Sequence, residues 1–107
     1  MARLKLAIVI PALNEEKTIG NIVESILIHG TAIVVDDGSY DKTAKVAEDA
    51  GAIVVRHRHN FGYDGALNSG FEKAISMGCE VILTFDADGQ HSVALIDDYL
   101  SEIDHGA

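Results

Sequence analysis

The sequence predicts an α/β fold: a mostly parallel sheet with helices on both faces, Rossmann-like in three α/β/α layers. Three observations carry that prediction. Four short runs rich in Val, Ile and Leu recur along the chain, at Leu4–Ile10, Ala32–Val35, Ala52–Val55 and Val81–Phe85. They lack polar alternation, as strands buried on both faces do. The stretches between them carry helical periodicity, and strands that alternate with helices form a parallel sheet with right-handed crossovers. For a Rossmann-like half the default strand order is 3-2-1-4.

The first strand, Leu4–Ile10, meets Pro11, which has no N–H for a ladder and is expected to end it. The loop Pro11-Ala12-Leu13-Asn14-Glu15-Glu16 follows. Ile19, Ile22, Val23, Ile26 and Leu27 then recur at the spacing of one buried helix face. Asn14 or Thr18 is its expected cap and Gly30 its stop.

The second strand runs into Asp36-Asp37-Gly38-Ser39-Tyr40-Asp41. Ser39 or Asp41 would cap the next helix, whose Ala44, Ala47 and Ala50 suit close packing, with Gly51 as the stop. The third strand leads into Arg56-His57-Arg58-His59-Asn60, read as a solvated strand end, with contact to phosphate as the alternative. A third helix is expected over about Ala66–Met77, with Leu67, Phe71, Ala74 and Ile75 inward and Gly78 stopping it. The fourth strand ends in Asp86-Ala87-Asp88-Gly89-Gln90-His91, and a last helix opens near Ser92.

A chain of 107 residues, 48% hydrophobic, suits one small domain with a core. A net charge of −9 argues against nucleic acid as a partner and against a broad grip on anionic lipid. The lone Cys79 excludes an intrachain disulfide and reads as a small buried hydrophobe. No signal peptide is evident, and no apolar run reaches the ~20 residues needed to span a bilayer. A cytoplasmic setting, or the cytoplasmic face of a membrane, is expected.

The topology sends the loops after all four strands to one edge, the edge where open α/β sheets hold ligands. Asp86 and Asp88 at that edge are costly unless something positive sits between them. With Gln90 they make an oxygen donor set for Mg²⁺ or Mn²⁺, which would bridge phosphate oxygens. The plainer alternative is that they end a strand and begin a loop. Asp36 and Asp37 can accept from base N–H groups or ribose hydroxyls, or can simply form a turn and cap. Neither a G-x-x-x-x-G-K-[ST] loop nor a G-x-G-x-x-G after the first strand is present, so the P-loop and dinucleotide readings fall. An aspartyl phosphatase would carry its Asp-x-Asp after the first strand rather than the fourth. A receiver-like phosphoacceptor fold would carry a lone Asp after the third.

With these residues assembled, the chain resembles the N-terminal half of a family 2 glycosyltransferase of the GT-A fold, from about Leu6 to Tyr99. The markers stand in family order. They are Val9-Ile10-Pro11-Ala12-Leu13-Asn14-Glu15-Glu16, Ile33-Val34-Val35-Asp36-Asp37-Gly38-Ser39, Asn60-Phe61-Gly62 with Gly65-Ala66-Leu67-Asn68-Ser69-Gly70, and Phe85-Asp86-Ala87-Asp88-Gly89-Gln90-His91. The last most resembles the dolichol- or polyprenyl-phosphate mannosyl- and glucosyltransferase branch.

The resemblance implies an inverting transferase that binds a GDP- or UDP-linked sugar, with a lipid phosphate as an acceptor. Pro11, Ala12, Asn14 and Glu15 would line the base and ribose pocket, and Asp36 or Asp37, beside Gly38, would contact the base. Asp86, Ala87 and Asp88 would hold the diphosphate, Asp86 and Asp88 through the metal, with Gln90 as a further ligand. Gly62, Gly65 and Gly70 would let the third helix approach the pocket. The chain departs from the pattern in Tyr40, where Thr is common, and in Ser92-Val93-Ala94, where Pro is usual. It also stops where the acceptor half is expected, so it reads as a truncated GT-A fold whose general base lies elsewhere and which does not transfer by itself. The alternative is a non-catalytic module that keeps the fold. In either case an exposed edge beside the fourth strand would invite a homodimer.

Overall fold

The computed structural model describes residues 5–86. Ala87, Asp88, Gln90 and the expected last helix lie outside the described residues. The order is β1 (Leu6–Ala12), α1 (Ile19–Leu27), β2 (Thr31–Asp36), α2 (Thr43–Asp49), β3 (Ile53–Arg56), α3 (Gly62–Ser76) and β4 (Val81–Thr84). The four strands pair in parallel in the order β3-β2-β1-β4, as the alternation requires.

Alternation along β1 divides the core. Ile8, Ile10 and Ala12 pack with Ile19, Val23 and Ile26 of α1 and with Ala47 of α2. Ala7 and Val9 face the other way, with Ile33 and Val35, onto Ala66 and Ala74 of α3. Helices α1 and α2 therefore cover one face and α3 the other, which gives the three layers. Cys79 is half-buried against the α3 side. Among the described residues no helix is long and apolar enough to cross a membrane.

Pro11 does not end β1; the strand runs on to Ala12, with Pro11 opposite Val35 and Ala12 opposite Asp36 of β2. The reason is directional. The Val9 carbonyl accepts from Phe85 on the β4 side, and the Ala12 carbonyl accepts from Asp37 on the β2 side. Alternate residues thus address alternate neighbours, so Pro11 shares the β4 side with Val9. The register with β4 runs only from Leu6↔Val81 to Val9↔Thr84, so the missing N–H costs the β2 ladder nothing.

Helix α3 begins at Gly62, earlier than its apolar spacing implied. It meets the sheet through Ala66, Gly70 and Ala74, flanked by Leu67 and Phe71. A Cβ on Gly70 would stand 2.2 Å from Val9 Cγ1, so the helix lies as close to β1 as its backbone allows. Gly70 therefore serves the close packing of α3 on β1. Ile75, expected inward, is 67% exposed. It lies about 100° around the helix from Ala74, off so narrow a stripe. Gly30 likewise does not stop α1 by a left-handed turn; it keeps clear of the Leu6 carbonyl, which a Cβ would approach to 2.6 Å.

Candidate functional site

The loops after β1 and β2 are latched together at the carboxyl edge of the sheet. The Asn14 N–H donates to Ser39 Oγ at 2.8 Å, and Asn14 Oδ1 accepts the Tyr40 N–H at 2.9 Å. The Glu15 N–H donates to Thr43 Oγ1 at 2.8 Å. Glu16 and the second loop exchange bonds: its N–H reaches Asp41 Oδ2 at 3.3 Å, and its Oε2 accepts from the Lys42 N–H at 3.2 Å. Asn14 adopts φ 55°, a left-handed conformation that Asn tolerates better than most residues. The expected pocket residues Asn14 and Glu15 thus form a structural clasp.

Neither expected cap of α1 has the expected form. Thr18 occupies the N-cap position without a side-chain cap bond, and the Glu15 carbonyl accepts the Thr18 and Ile19 N–H groups instead. In α2 Lys42 is the N-cap residue, and Asp41 Oδ1 accepts the Thr43 N–H at 2.9 Å. Ala12 turns its side chain into the core, so only its backbone borders the edge. Pro11 is half-buried beside it.

The two adjacent aspartates have different fates. Asp37 Oδ1 accepts from the Phe61 N–H at 2.9 Å and contacts His57 Nδ1 at 2.8 Å, while Oδ2 accepts the Gly62 N–H at 3.0 Å. Asp37 thus caps α3 from across the fold, which is why that helix starts early. Burial opposes its ionisation, but the bonds from His57, Phe61 and Gly62 outweigh it and hold its carboxyl below the usual carboxylate range. Asp36 is fully buried, and its Oδ1 accepts the Ser39 N–H at 2.9 Å. Among the described residues its Oδ2 accepts no hydrogen bond, and Arg56 Nε stands 3.9 Å away on a largely exposed side chain. Gly38 turns between these groups with φ 85°, its α-carbon tight against His59, where a Cβ would stand 3.1 Å from the His59 carbonyl carbon.

His57 is not part of a solvated strand end. Its side chain is 10% exposed, lies edge-on to Phe61, and joins Asp37 to Ser69 Oγ, 2.7 Å from Nε2. With Asp37 ionised, Nδ1 carries the donated proton, and in the neutral ring Nε2 accepts from the Ser69 hydroxyl. The connectivity is that of an Asp-His-Ser triad. Asp37 is committed to the helix cap, however, and Ser69 lies mid-helix, remote from the unsatisfied N–H groups that build an oxyanion hole. The trio is a tie between β2, β3 and α3. Arg56, Arg58, His59 and Asn60 are exposed as expected.

Asp86 lies two residues beyond the end of β4 and is half-buried. Its Oδ1 accepts from the Tyr63 hydroxyl at 3.2 Å. This is the crevice beside β1 where the strand order reverses, the ligand position of open α/β sheets. A partly desolvated carboxylate is a hard oxygen ligand that fits Mg²⁺ or Mn²⁺. Among the described residues no group of three or more His, Cys, Asp or Glu could hold a metal ion, and Asp88 and Gln90 lie outside them. Sequence reasoning missed Tyr63 and the His57 tie. Neither has a local signal, since the Asp37–His57, His57–Ser69 and Tyr63–Asp86 pairs are separated by 20, 12 and 23 residues.

Proteins similar to this chain in sequence or in its sheet include sugar transferases. The chain is 46% identical over 89 residues to an uncharacterised protein of Methanocaldococcus jannaschii, covering 81% of this chain and 37% of that one. It is 36% identical over 111 residues to the UDP-N-acetylglucosamine–dolichyl-phosphate N-acetylglucosaminyltransferase of Methanococcus voltae, covering 86% and 44%. It thus spans less than half the length of these relatives. Among solved structures, mannosyl-3-phosphoglycerate synthase from Rubrobacter xylanophilus superposes with a TM-score of 0.69 at 25% identity, over 83% of this chain and 32% of that one. Glucosyl-3-phosphoglycerate synthase from Mycobacterium tuberculosis, in complex with Mn²⁺, UDP-glucose and phosphoglyceric acid, superposes with a TM-score of 0.64 at 28% identity, over 79% and 33%. The family model for glycosyl transferase family 2 matches residues 7–107, all four strands but for Leu6, and the chain belongs to that family.

Proposed function

We propose that the carboxyl edge of this sheet binds the sugar donor of an inverting transfer, a UDP-linked sugar, with Asp36 reading the base and Asp86 and Asp88 at the diphosphate. The observation that carries the reading is the buried Asp36 Oδ2, which accepts no hydrogen bond among the described residues. A buried carboxylate oxygen without a partner is costly, and an N–H of a pyrimidine base would satisfy it. Asp37 has no such oxygen to offer, because hydrogen bonds already engage both of its own. Arg56 would swing aside to admit the base, and its exposed arm leaves room for that.

UDP is favoured over GDP by two relatives: the Methanococcus voltae enzyme is named for a UDP-sugar, and the Mycobacterium tuberculosis synthase holds UDP-glucose with Mn²⁺. A bound Mg²⁺ or Mn²⁺ would supply charge neutralisation for the departing diphosphate. Asp86 and Asp88, with Gln90, would hold it, and the half-buried Asp86 carboxylate suits such an ion. The acceptor attacks the anomeric carbon from the face opposite the diphosphate. A polyprenyl phosphate is the acceptor we favour, on the name of the Methanococcus voltae relative. Being ionised already, it would need no general base. The function assigned to these 107 residues is holding the donor; transfer would require acceptor-side residues as well.

Calorimetric titration of the chain with UDP and GDP, with and without Mn²⁺, tests the reading. UDP should bind only with Mn²⁺, Asp88→Ala should abolish binding, and Asp36→Asn should weaken it about tenfold or more by replacing an acceptor with a donor. If neither nucleotide binds in the presence of Mn²⁺, the reading is wrong and the chain merely keeps the fold.

A further inference from the structure

The carboxyl ends of β1, β2 and β3 form a row, with Ala12 opposite Asp36 and Asp36 opposite Arg56. Paired residues of neighbouring strands face the same side, so Asp36 and Arg56 lie side by side on one face of the sheet. Asp36 is fully buried, and its Oδ2 accepts no hydrogen bond among the described residues. Arg56 Nε stands 3.9 Å from that oxygen, too far for a hydrogen bond. The two side chains differ in freedom. Asp36 is 1% exposed and its Oδ1 holds the Ser39 N–H, whereas the Arg56 side chain is 69% exposed. The backbone under Arg56 is nonetheless fixed. The Asp36 carbonyl accepts the His57 N–H at 2.9 Å, and the His57 ring is held by Asp37 and Ser69. Arg56 is thus a mobile arm on a fixed root, beside an acceptor that is held in place.

We propose that Arg56 is a specificity residue for the base: with Asp36 it sets a hydrogen-bond donor beside an acceptor, the pattern that matches uracil and opposes cytosine. This rests on the donor-site reading above, in which Asp36 meets the base. The strand order says which edge of the base Arg56 would meet. With the diphosphate at the β1–β4 crevice and N3 at Asp36 of β2, the base runs away from the crevice, and its far edge at C4 points towards β3 and Arg56. Uracil carries a hydrogen on N3 and a carbonyl at C4. The first suits a carboxylate oxygen and the second a guanidinium, which has five N–H donors and no acceptor. Cytosine has a bare N3 and an amino group at C4. Its N3 would oppose the carboxylate, acceptor to acceptor, and its amino group would oppose the guanidinium, donor to donor. Sliding the ring to restore a match would pull the ribose and diphosphate off their positions. Arg56 therefore acts twice: it stands beside the buried carboxylate while the site is empty, and it holds the base carbonyl once the base arrives.

The experiment is calorimetric titration at saturating Mn²⁺ with UDP, and with CDP by its displacement of UDP, for the unaltered protein and for Arg56→Met. Methionine keeps an apolar stem but offers no N–H. The unaltered protein should prefer UDP about a hundredfold or more. Arg56→Met should weaken UDP about tenfold and leave CDP within about twofold, so the preference shrinks about tenfold. Equal losses for UDP and CDP overturn the proposal, because Arg56 then acts on the diphosphate or on the fold. An unchanged or raised UDP affinity overturns it too, since Arg56 is then only a cover beside Asp36. An unaltered protein that binds CDP as tightly as UDP overturns it as well. In each of these cases UDP still binds and the donor site stands. If the unaltered protein binds no UDP, the donor-site reading falls and this role of Arg56 falls with it.

Discussion

The Asp37 carboxylate caps a helix that begins 25 residues later in the chain, accepting the Gly62 N–H at 3.0 Å. The usual N-cap is local, a side chain bonding to N–H groups of its own helix. Here the cap comes from the end of β2, and α3 has no side-chain bond from its own N-cap residue, Phe61. Asp37→Ala would leave the Phe61 and Gly62 N–H groups and His57 Nδ1 without their partner. A lost cap costs about 1 kcal/mol, and each buried group left unsatisfied adds about 1–3 kcal/mol. Solvent reaches part of this turn, so the expected loss in urea-unfolding free energy is about 2–4 kcal/mol. A loss below about 0.5 kcal/mol would show that the cap is dispensable.

The same carboxylate should leave a signature in the acid range. Its native pKa lies below the ordinary 3.8, so near that pH the unfolded chain binds more protons than the native one. Stability then rises with pH. The contribution of Asp37 is complete above the ordinary value and disappears as pH falls through the lowered native one. The difference in urea midpoint between the unaltered protein and Asp37→Asn should therefore be constant from pH 7 down to about 5 and shrink towards pH 3. A difference that stays constant to pH 3 would show that Asp37 is not the group responsible.

Gly70 and Val9 make a second pair whose contact can be tested. Replacing a mid-helix glycine by alanine ordinarily gains about 1 kcal/mol. At Gly70 the new methyl would stand 2.2 Å from Val9 Cγ1, and overpacking of that kind costs about 1–3 kcal/mol. An approach of 2.2 Å puts the clash in the upper part of that range, so Gly70→Ala is expected to destabilise by about 1–2 kcal/mol. Adding Val9→Ala should recover part of that loss, giving a favourable coupling in the double-mutant cycle. Additive effects of the two substitutions would place the helix further from β1 than described.

Much of this was legible in the chain itself. Strand runs that lack polar alternation fixed the class, and the side-by-side carboxyl ends of β1, β2 and β4 follow from the strand order. The individual roles at that edge were harder to read. Asp36 and Asp37 are adjacent carboxylates with the same local pattern, yet among the described residues one keeps an oxygen without a hydrogen bond and the other caps α3. Only the position of Gly62 in space separates them. The resemblance implied a pocket role for Asn14 but not its bonds to Ser39 and Tyr40, 25 and 26 residues on, which are invisible locally. His57 sits among Arg56, Arg58 and His59, all exposed, and alternation cannot tell which member of such a run turns inward. Ile75 failed for the opposite reason: a face carrying Gly70 and two alanines is narrower than one built of large side chains.

Pro11 has a consequence for where this sheet can open. Among the described residues the β1–β4 ladder reaches its last rung at the bond from Phe85 N–H to the Val9 carbonyl. The next β1 residue facing β4 is Pro11, which has no hydrogen to give. Strand β1 can continue alongside β2, but towards β4 Pro11 offers a carbonyl and no N–H, so a further rung there would lack one of its two bonds. One imino acid thus weakens the zipper at the level of Asp86. A residue with an N–H at that position could lengthen β4 and draw Asp86 into the sheet, narrowing the cleft from its floor upward.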